Sequence, residues 1–215
     1  MTITIREPGS AFTHLAGMVI TALAACPLLV RAGRSGSLTV IIGMSVFIAS
    51  MILLYLASTL YHSVTVCPKI LKMFRKIDHM MIFVLIAGSY TPICLLVLGG
   101  VEGMCLLAVI WGLAFVGMTV KFFWITCPKW FSSLIYIGMG WACVFVFRDL
   151  TKLLAPAALG WLLAGGIIYT VGGVIYALAI PLFPQKKNFG NHELFHLFVM
   201  GGSFCHIVSM YCILS

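Results

Sequence analysis

Ser37-Leu-Thr-Val-Ile-Ile-Gly-Met-Ser-Val-Phe-Ile-Ala-Ser-Met-Ile-Leu-Leu-Tyr-Leu-Ala-Ser-Thr-Leu-Tyr61 contains no Asp, Glu, Lys, Arg or His. A helix rises 1.5 Å per residue, so about 20 mainly apolar residues cross the hydrocarbon of a bilayer. This stretch is long enough. Working outward, comparable segments read at about 13–30, 78–99, 103–124, 131–147, 157–181 and 192–213, each bounded by charge, Pro or Gly clusters. The fifth is short, and the sixth is long and Gly-rich. Hydrophobic residues make up 62% of the chain and charged residues 8%, against about 45–50% and 25% in soluble domains. No sizeable extramembrane domain can be built from what remains. Inside hydrocarbon the backbone must satisfy its own hydrogen bonds, and these segments far exceed the roughly 9–11 residues of a barrel strand. The expectation is an all-α, seven-transmembrane-helix bundle forming a single domain over 1–215. Gly165-Gly166 and Gly172-Gly173 predict close packing of the sixth helix, and Pro92 a kink in the third.

Lys and Arg are retained on the cytoplasmic side of a membrane. The N-terminus, the segments 62–77, 125–130 and 182–191, and the helix-end Lys121 hold nine of the 13 basic residues: Arg6, Lys69, Lys72, Arg75, Lys76, Lys121, Lys129, Lys186 and Lys187. Arg31, Arg34, Arg148 and Lys152 fall on the other side. The N-terminus is therefore expected in the cytoplasm and the C-terminus outside. A net charge of +8 then signals topology and anionic lipid. Loops this short cannot form a basic groove, so membrane lipids are the expected partners and nucleic acid is not. Leu23-Ala24-Ala25-Cys26 resembles a lipoprotein cleavage box, but Glu7 and His14 are out of place in a signal peptide, so an uncleaved first helix is expected. Of the eight cysteines, Cys26, Cys94, Cys105, Cys143, Cys205 and Cys212 lie in spans as small apolar residues. Cys67 and Cys127 both occur as Cys-Pro-Lys, which Pro following a helix end explains without a shared metal. A reducing cytoplasmic face would keep both as thiols.

Ionisable side chains are costly in a bilayer, so the few within the spans are functional candidates. Tyr55, Ser58 and His62 share one face of the second helix as it reaches the cytoplasmic side. Asp78 is expected to begin the third helix there, with Ser89 deeper on the same face. His192 and His196 start the seventh, and Ser203 and His206 continue that stripe inward. Glu7, Ser10 and His14 occupy the start of the first. Two imidazoles at i, i+4 on one helix and a third on another suit a tetrahedral zinc with an open fourth position: His62, His192 and His196 are the candidate ligands. Zinc lowers the pKa of a bound water toward ~7, and Asp78 is placed to hold that water or accept its proton. For Tyr55, Ser89 and Ser203 the ordinary role is hydrogen bonding between helices. His79, about 100° around the helix from Asp78, reads as packing or support. His206, too deep to join the ligands, reads the same way. His192-Glu193-Leu194-Phe195-His196 is also a literal H-E-x-x-H, in which Glu193 would be a general base, though no other protease feature accompanies it.

Four stretches together resemble bacterial hemolysin III proteins. These are Glu7-Pro-Gly-Ser-Ala-Phe-Thr-His14, Ala57-Ser-Thr-Leu-Tyr-His-Ser63, Ile77-Asp-His-Met-Met-Ile-Phe-Val-Leu-Ile-Ala-Gly-Ser-Tyr-Thr-Pro92, and His192 to His206. Hemolysin III proteins belong with the progestin and adiponectin receptors, in a superfamily that includes alkaline ceramidases. The resemblance implies a multi-pass protein of the bacterial inner (plasma) membrane, with its N-terminus inside and its C-terminus periplasmic. It implies zinc on His62, His192 and His196, Asp78 holding the water at the metal, Ser58 lining the site, and Glu7, Ser10, His14 and His206 in supporting positions. Glu193 is not required by the family's H-x-x-x-H pattern. The expected function is metal-dependent hydrolysis of a lipid amide or ester, or lipid sensing in membrane homeostasis. The competing class is a channel or pore-forming cytolysin, which would need a polar path across the bilayer. Ionisable residues gathered at one side favour the enclosed site. A reporter active only in the periplasm should be active when fused after Ser215 and silent when placed within 69–76. The reverse pattern would move the site to the outer face.

Overall fold

A computed structural model describes residues 5–178 and 190–215. Lys186, Lys187 and the predicted end of the sixth span at 179–181 lie outside them. Among the described residues there is no strand, and seven helices are long and apolar enough to cross a membrane: α1 Pro8–Arg34, α2 Leu38–Ser63, α3 Pro68–Leu98, α4 Gly100–Phe123, α5 Lys129–Leu153, α6 Pro156–Leu178 and α7 Asn191–Ile213. The chain is a multi-pass membrane protein. α1 packs on α2, α2 on α3, α3 on α4, α5 on α6 and α6 on α7, while α7 returns to α1 and closes the bundle. Phe47, Met44, Met51 and Leu54 of α2 fill its middle. Phe12, Leu23, Val101, Phe115 and Phe145 face outward, as helices surrounded by lipid allow.

The third helix departs from the sequence reading. It begins at Pro68, with Cys67 preceding it and Pro68 in its first turn, where a missing N–H costs nothing. Hydropathy marks where apolar residues begin, whereas the helix begins earlier, on a turn rich in Lys69, Lys72 and Arg75. Asp78 consequently lies about three turns inside α3 and not at its start. At Pro92, where a kink is expected, the α-helical ladder passes into a π-helical segment, Ile93–Leu98, which closes with Gly99 N–H donating to Cys94 O at 3.0 Å.

The fifth helix is longer than expected. Lys129–Gly140 continues through a 3₁₀ segment, Trp141–Val146, into Phe147–Leu153. Tyr90 holds this switch from α3, its hydroxyl donating to Gly140 O at 2.7 Å and accepting from Cys143 N at 2.8 Å. Backbone groups freed by a change of helix type need such partners where water is absent.

Glycines carry the α6–α7 contact. A Cβ on Gly165 would press on the His206 ring and Gly202 O, and one on Gly172 would press on Phe198. Gly165→Ala should therefore cost about 1–3 kcal/mol through overpacking. Gly112→Ala, with nothing within 4 Å of the added carbon, should be near neutral. Thermal unfolding of the two variants in detergent reads the difference.

Candidate metal centre

The N-terminal segment places the first group. Glu7 N–H donates to His62 O at 3.0 Å and Arg6 N–H to Ser63 O at 3.4 Å, while the Arg6 guanidinium donates to Tyr61 O at 2.8 Å. These bonds satisfy carbonyls that the end of α2 leaves unpaired. They also hold the Glu7 carboxylate against His62, whose Nδ1 donates to Glu7 Oε2. That bond fixes the tautomer, so Nε2 of the buried His62 carries the lone pair.

His196 is set in the same way by Thr13. The Thr13 hydroxyl donates its single proton to Ser10 O at 2.9 Å and lies 3.1 Å from His196 Nδ1. It must therefore accept from Nδ1–H, which again leaves Nε2 as the lone-pair atom. His192 Nε2 lies 3.3 Å from His62 Nε2, and one ring nitrogen from each of His62, His192 and His196 falls within 4.8 Å of the other two. Nitrogens at about 2.0–2.1 Å from a tetrahedral zinc would stand about 3.3 Å apart. These three histidines can hold a metal ion, and they form the one such group among the described residues.

A cavity of about 190 Å³ opens beside them. His14, Ser58, Asp78, His192 and His196 line its polar end, and Ile86, Leu150, Leu159 and Leu162 continue it between α3, α5 and α6. Ser58 is fully buried, and its Oγ has no hydrogen-bond partner among the described residues. A buried hydroxyl without a partner on a cavity wall is a place for a ligand atom. Asp78 Oδ2 lies 3.4 Å from His79 Nδ1, and both side chains line the cavity. His79 is thus drawn in beside the carboxylate, because an imidazole is long enough to reach an adjacent side chain despite the 100° offset.

The remaining candidates divide. His14 stacks on His196, with ring centroids 3.6 Å apart and planes 9° from parallel. Ser10 donates to Glu193 Oε1, and Gly190 N–H donates to Glu193 Oε2 at 2.8 Å. Glu193 therefore caps α7 and ties it to α1, with both oxygens engaged, which removes it from the role of general base in an H-E-x-x-H site. Ser10 supports His196 with its backbone, both directly and through Thr13, which donates to the Ser10 carbonyl. His206 stays apart from the ligands, packed on Gly165 and edge-on to Tyr169 at 5.3 Å, and lines the cavity more deeply. Tyr55 donates to Ser203 Oγ at 2.7 Å, Tyr169 lies 2.7 Å from the same oxygen, and Ser89 bonds to Leu85 O of its own helix. All eight cysteines are free thiols.

Thr13 was not singled out by sequence reasoning. Its one signal was its place next to His14 within the N-terminal motif. If Glu7 and Thr13 orient the ligands, Glu7→Gln or Thr13→Val should weaken metal affinity about 10–100-fold. His192→Ala or His196→Ala should lose the ion altogether. Elemental analysis of purified, folded variants decides, and full metal retention in both alanine variants would remove the assignment.

The family model described as "Haemolysin-III related" matches residues 3–207. The chain is 38% identical to "Hemolysin-3" of Bacillus cereus, over 97% of this chain and 90% of that protein. It is 38% identical to "Hemolysin-3 homolog" of Bacillus subtilis (strain 168), over 98% and 96%. It is 27% identical to "Progestin and adipoQ receptor-like protein 1" of Caenorhabditis elegans, over 93% of this chain and 50% of that protein. No solved structure gives a significant match. The chain belongs to the Haemolysin-III related family.

Proposed function

We propose that this protein binds zinc through Nε2 of His62, His192 and His196 and hydrolyses an amide or ester bond of a membrane lipid. The N-terminus and the site would face the cytoplasm, in a bacterial inner membrane. One observation carries the reading: the unpartnered Ser58 hydroxyl and the Asp78 carboxylate share a cavity wall with His192 and His196, two of the three convergent imidazoles, and the rest of that wall is largely apolar. The apolar part of the cavity suits an acyl chain, and its polar part suits the bond to be cut. A channel would need polar lining throughout, and the deep wall of Ile86, Leu150, Leu159 and Leu162 is apolar.

Zinc supplies Lewis-acid polarisation of an acyl carbonyl and acidification of a water. The chain's own residues do the rest. Asp78 accepts a proton from the attacking water at a carboxylate oxygen and returns it to the departing amine or alkoxide, as the carbonyl carbon gains the water oxygen and loses the leaving group. His79, 3.4 Å away, holds that carboxylate in place. Ser58 donates a hydrogen bond to the carbonyl oxygen as charge builds on it. The apolar walls exclude water and fix the chain so that its carbonyl sits beside Asp78.

Asp78→Asn should keep the metal and lower turnover about 10²–10⁴-fold, since an amide cannot accept the proton. Glu193→Gln should keep turnover and cost about 1 kcal/mol of stability through the weakened cap. Bound metal and cellular lipid composition, measured on both variants, test this. An Asp78→Asn protein with unchanged metal and unchanged lipids would leave the hydrolase reading without a base. Lipid binding without turnover in the wild type would make the same site a lipid sensor.

A further inference from the structure

Lys121, in the last turn of α4, is 3% exposed, and its Nζ donates to Ser132 Oγ at 2.5 Å and to Cys127 Sγ at 3.1 Å. Among the described residues no carboxylate forms an ion pair with it. The sequence holds five Asp and Glu in all, and each has another place. Glu7 is on His62 and Arg6, Asp78 on His79, and Asp149 on Lys152. Glu193 takes Ser10 and the Gly190 N–H. Glu102 lies in the first turn of α4, about 28 Å along the helix from Lys121. The C-terminal carboxylate follows the end of α7 away from His192.

An ammonium buried at a membrane interface without an anion is strongly disfavoured, so unless the Cys127 thiol at 3.1 Å ionises, its counter-charge must come from outside the chain. Lys121 lines the same cavity as Asp78 and His192, together with Arg75, Lys129 and Ser132. Arg75 and Lys129 are exposed and have no carboxylate within ion-pair distance among the described residues. Lys129 Nζ sits 4.7 Å over the Tyr176 ring, whose centroid is 6.2 Å from that of His192. The unpaired positive charge therefore gathers on the cavity wall, one aromatic ring away from a metal ligand.

We propose that Lys121 and Ser132, with Arg75 and Lys129 at the rim, form an oxyanion subsite for the phosphate or carboxylate headgroup of a lipid whose chain occupies the cavity. This rests on the lipid-binding part of the function proposed above and makes the substrate class anionic. The anion replaces part of the hydration that Lys121 lacks, through charge-assisted hydrogen bonds. Lys129 and Arg75 draw the headgroup in from the membrane surface.

The test is equilibrium binding to the full chain in neutral, phosphate-free detergent, read by native mass spectrometry, with zinc measured on the same samples. Dioleoyl phosphatidic acid should bind at least about tenfold more tightly than dioleoylglycerol, and oleate more tightly than oleyl alcohol, the size of one charge-assisted bond. Lys121→Gln should reduce that preference to within about threefold, and Lys121→Arg should retain it. Cys127→Ala should also retain it; loss there would assign the counter-charge to a thiolate and overturn the proposal. If Lys121→Gln fails to fold, the double variant Arg75→Gln/Lys129→Gln, at exposed positions, should still lose much of the preference. Equal binding of the charged and uncharged lipids by the wild type, or a preference surviving in Lys121→Gln or in the double variant, would overturn the proposal. Lys121-dependent binding of inorganic phosphate together with equal binding of the charged and uncharged lipids would likewise overturn the headgroup proposal, leaving a site for a free anion. His192→Ala, lacking metal, should still prefer phosphatidic acid, so a failed metal assignment and a failed oxyanion subsite give different results.

Discussion

A bilayer offers no water to hydrate a polar group, and that constraint organises this molecule from its helices to its candidate metal site. Backbone groups freed by Pro92 are taken up by a π turn, and those at the 3₁₀ switch of α5 are taken up by the Tyr90 hydroxyl. Ionisable side chains are held more tightly still. His62 is fixed by Glu7, His196 by Thr13, and α7 is joined to α1 by Glu193 and Ser10. Each such bond satisfies a group that would otherwise be costly to bury, and each also aims a ring nitrogen or a helix end at one point. Hydrogen-bond satisfaction and construction of the site are here the same event.

The seven spans were legible in the sequence because the apolar runs are long and the interruptions sharp. Their ends were less so. Hydropathy reports the membrane boundary, so the basic turn of α3 from Pro68 read as a loop, and Asp78 seemed to start a helix that it enters only after about three turns. The 3₁₀ continuation of α5 was hidden because a change of hydrogen-bond register leaves no periodic trace in so apolar a stretch.

At the site, the three histidines were legible from helical spacing, since i, i+4 on α7 and the end of α2 fix their faces without tertiary knowledge. What spacing could not supply was the pairing that sets their tautomers. Thr13 and His196 are far apart in sequence, and the Thr13 hydroxyl becomes an acceptor only because the Ser10 carbonyl takes its proton. Glu193 shows the converse. His192-Glu193-Leu194-Phe195-His196 satisfies a five-residue motif for a metalloprotease, yet the glutamate faces the first turn of its own helix and Ser10 of α1. A short motif specifies which faces are presented; the neighbouring helix decides what those faces meet.

Carboxylates are scarce here, and their placement sets the electrostatics of the whole molecule. With five acids against thirteen Lys and Arg, the chain cannot neutralise its own basic groups, and two of the acids, Glu7 and Asp78, are committed to histidines at the site. Excess positive charge on an exposed helix end is tolerable, because water and anionic lipid surround it. Lys121 is the exception, being buried on a cavity wall beside a thiol and a serine hydroxyl. A soluble domain would place an aspartate there. With no acid at that position, Lys121, Arg75 and Lys129 give the cavity wall an excess of cationic groups beside the apolar Ile86, Leu150, Leu159 and Leu162, the arrangement on which the proposed anionic-lipid subsite rests.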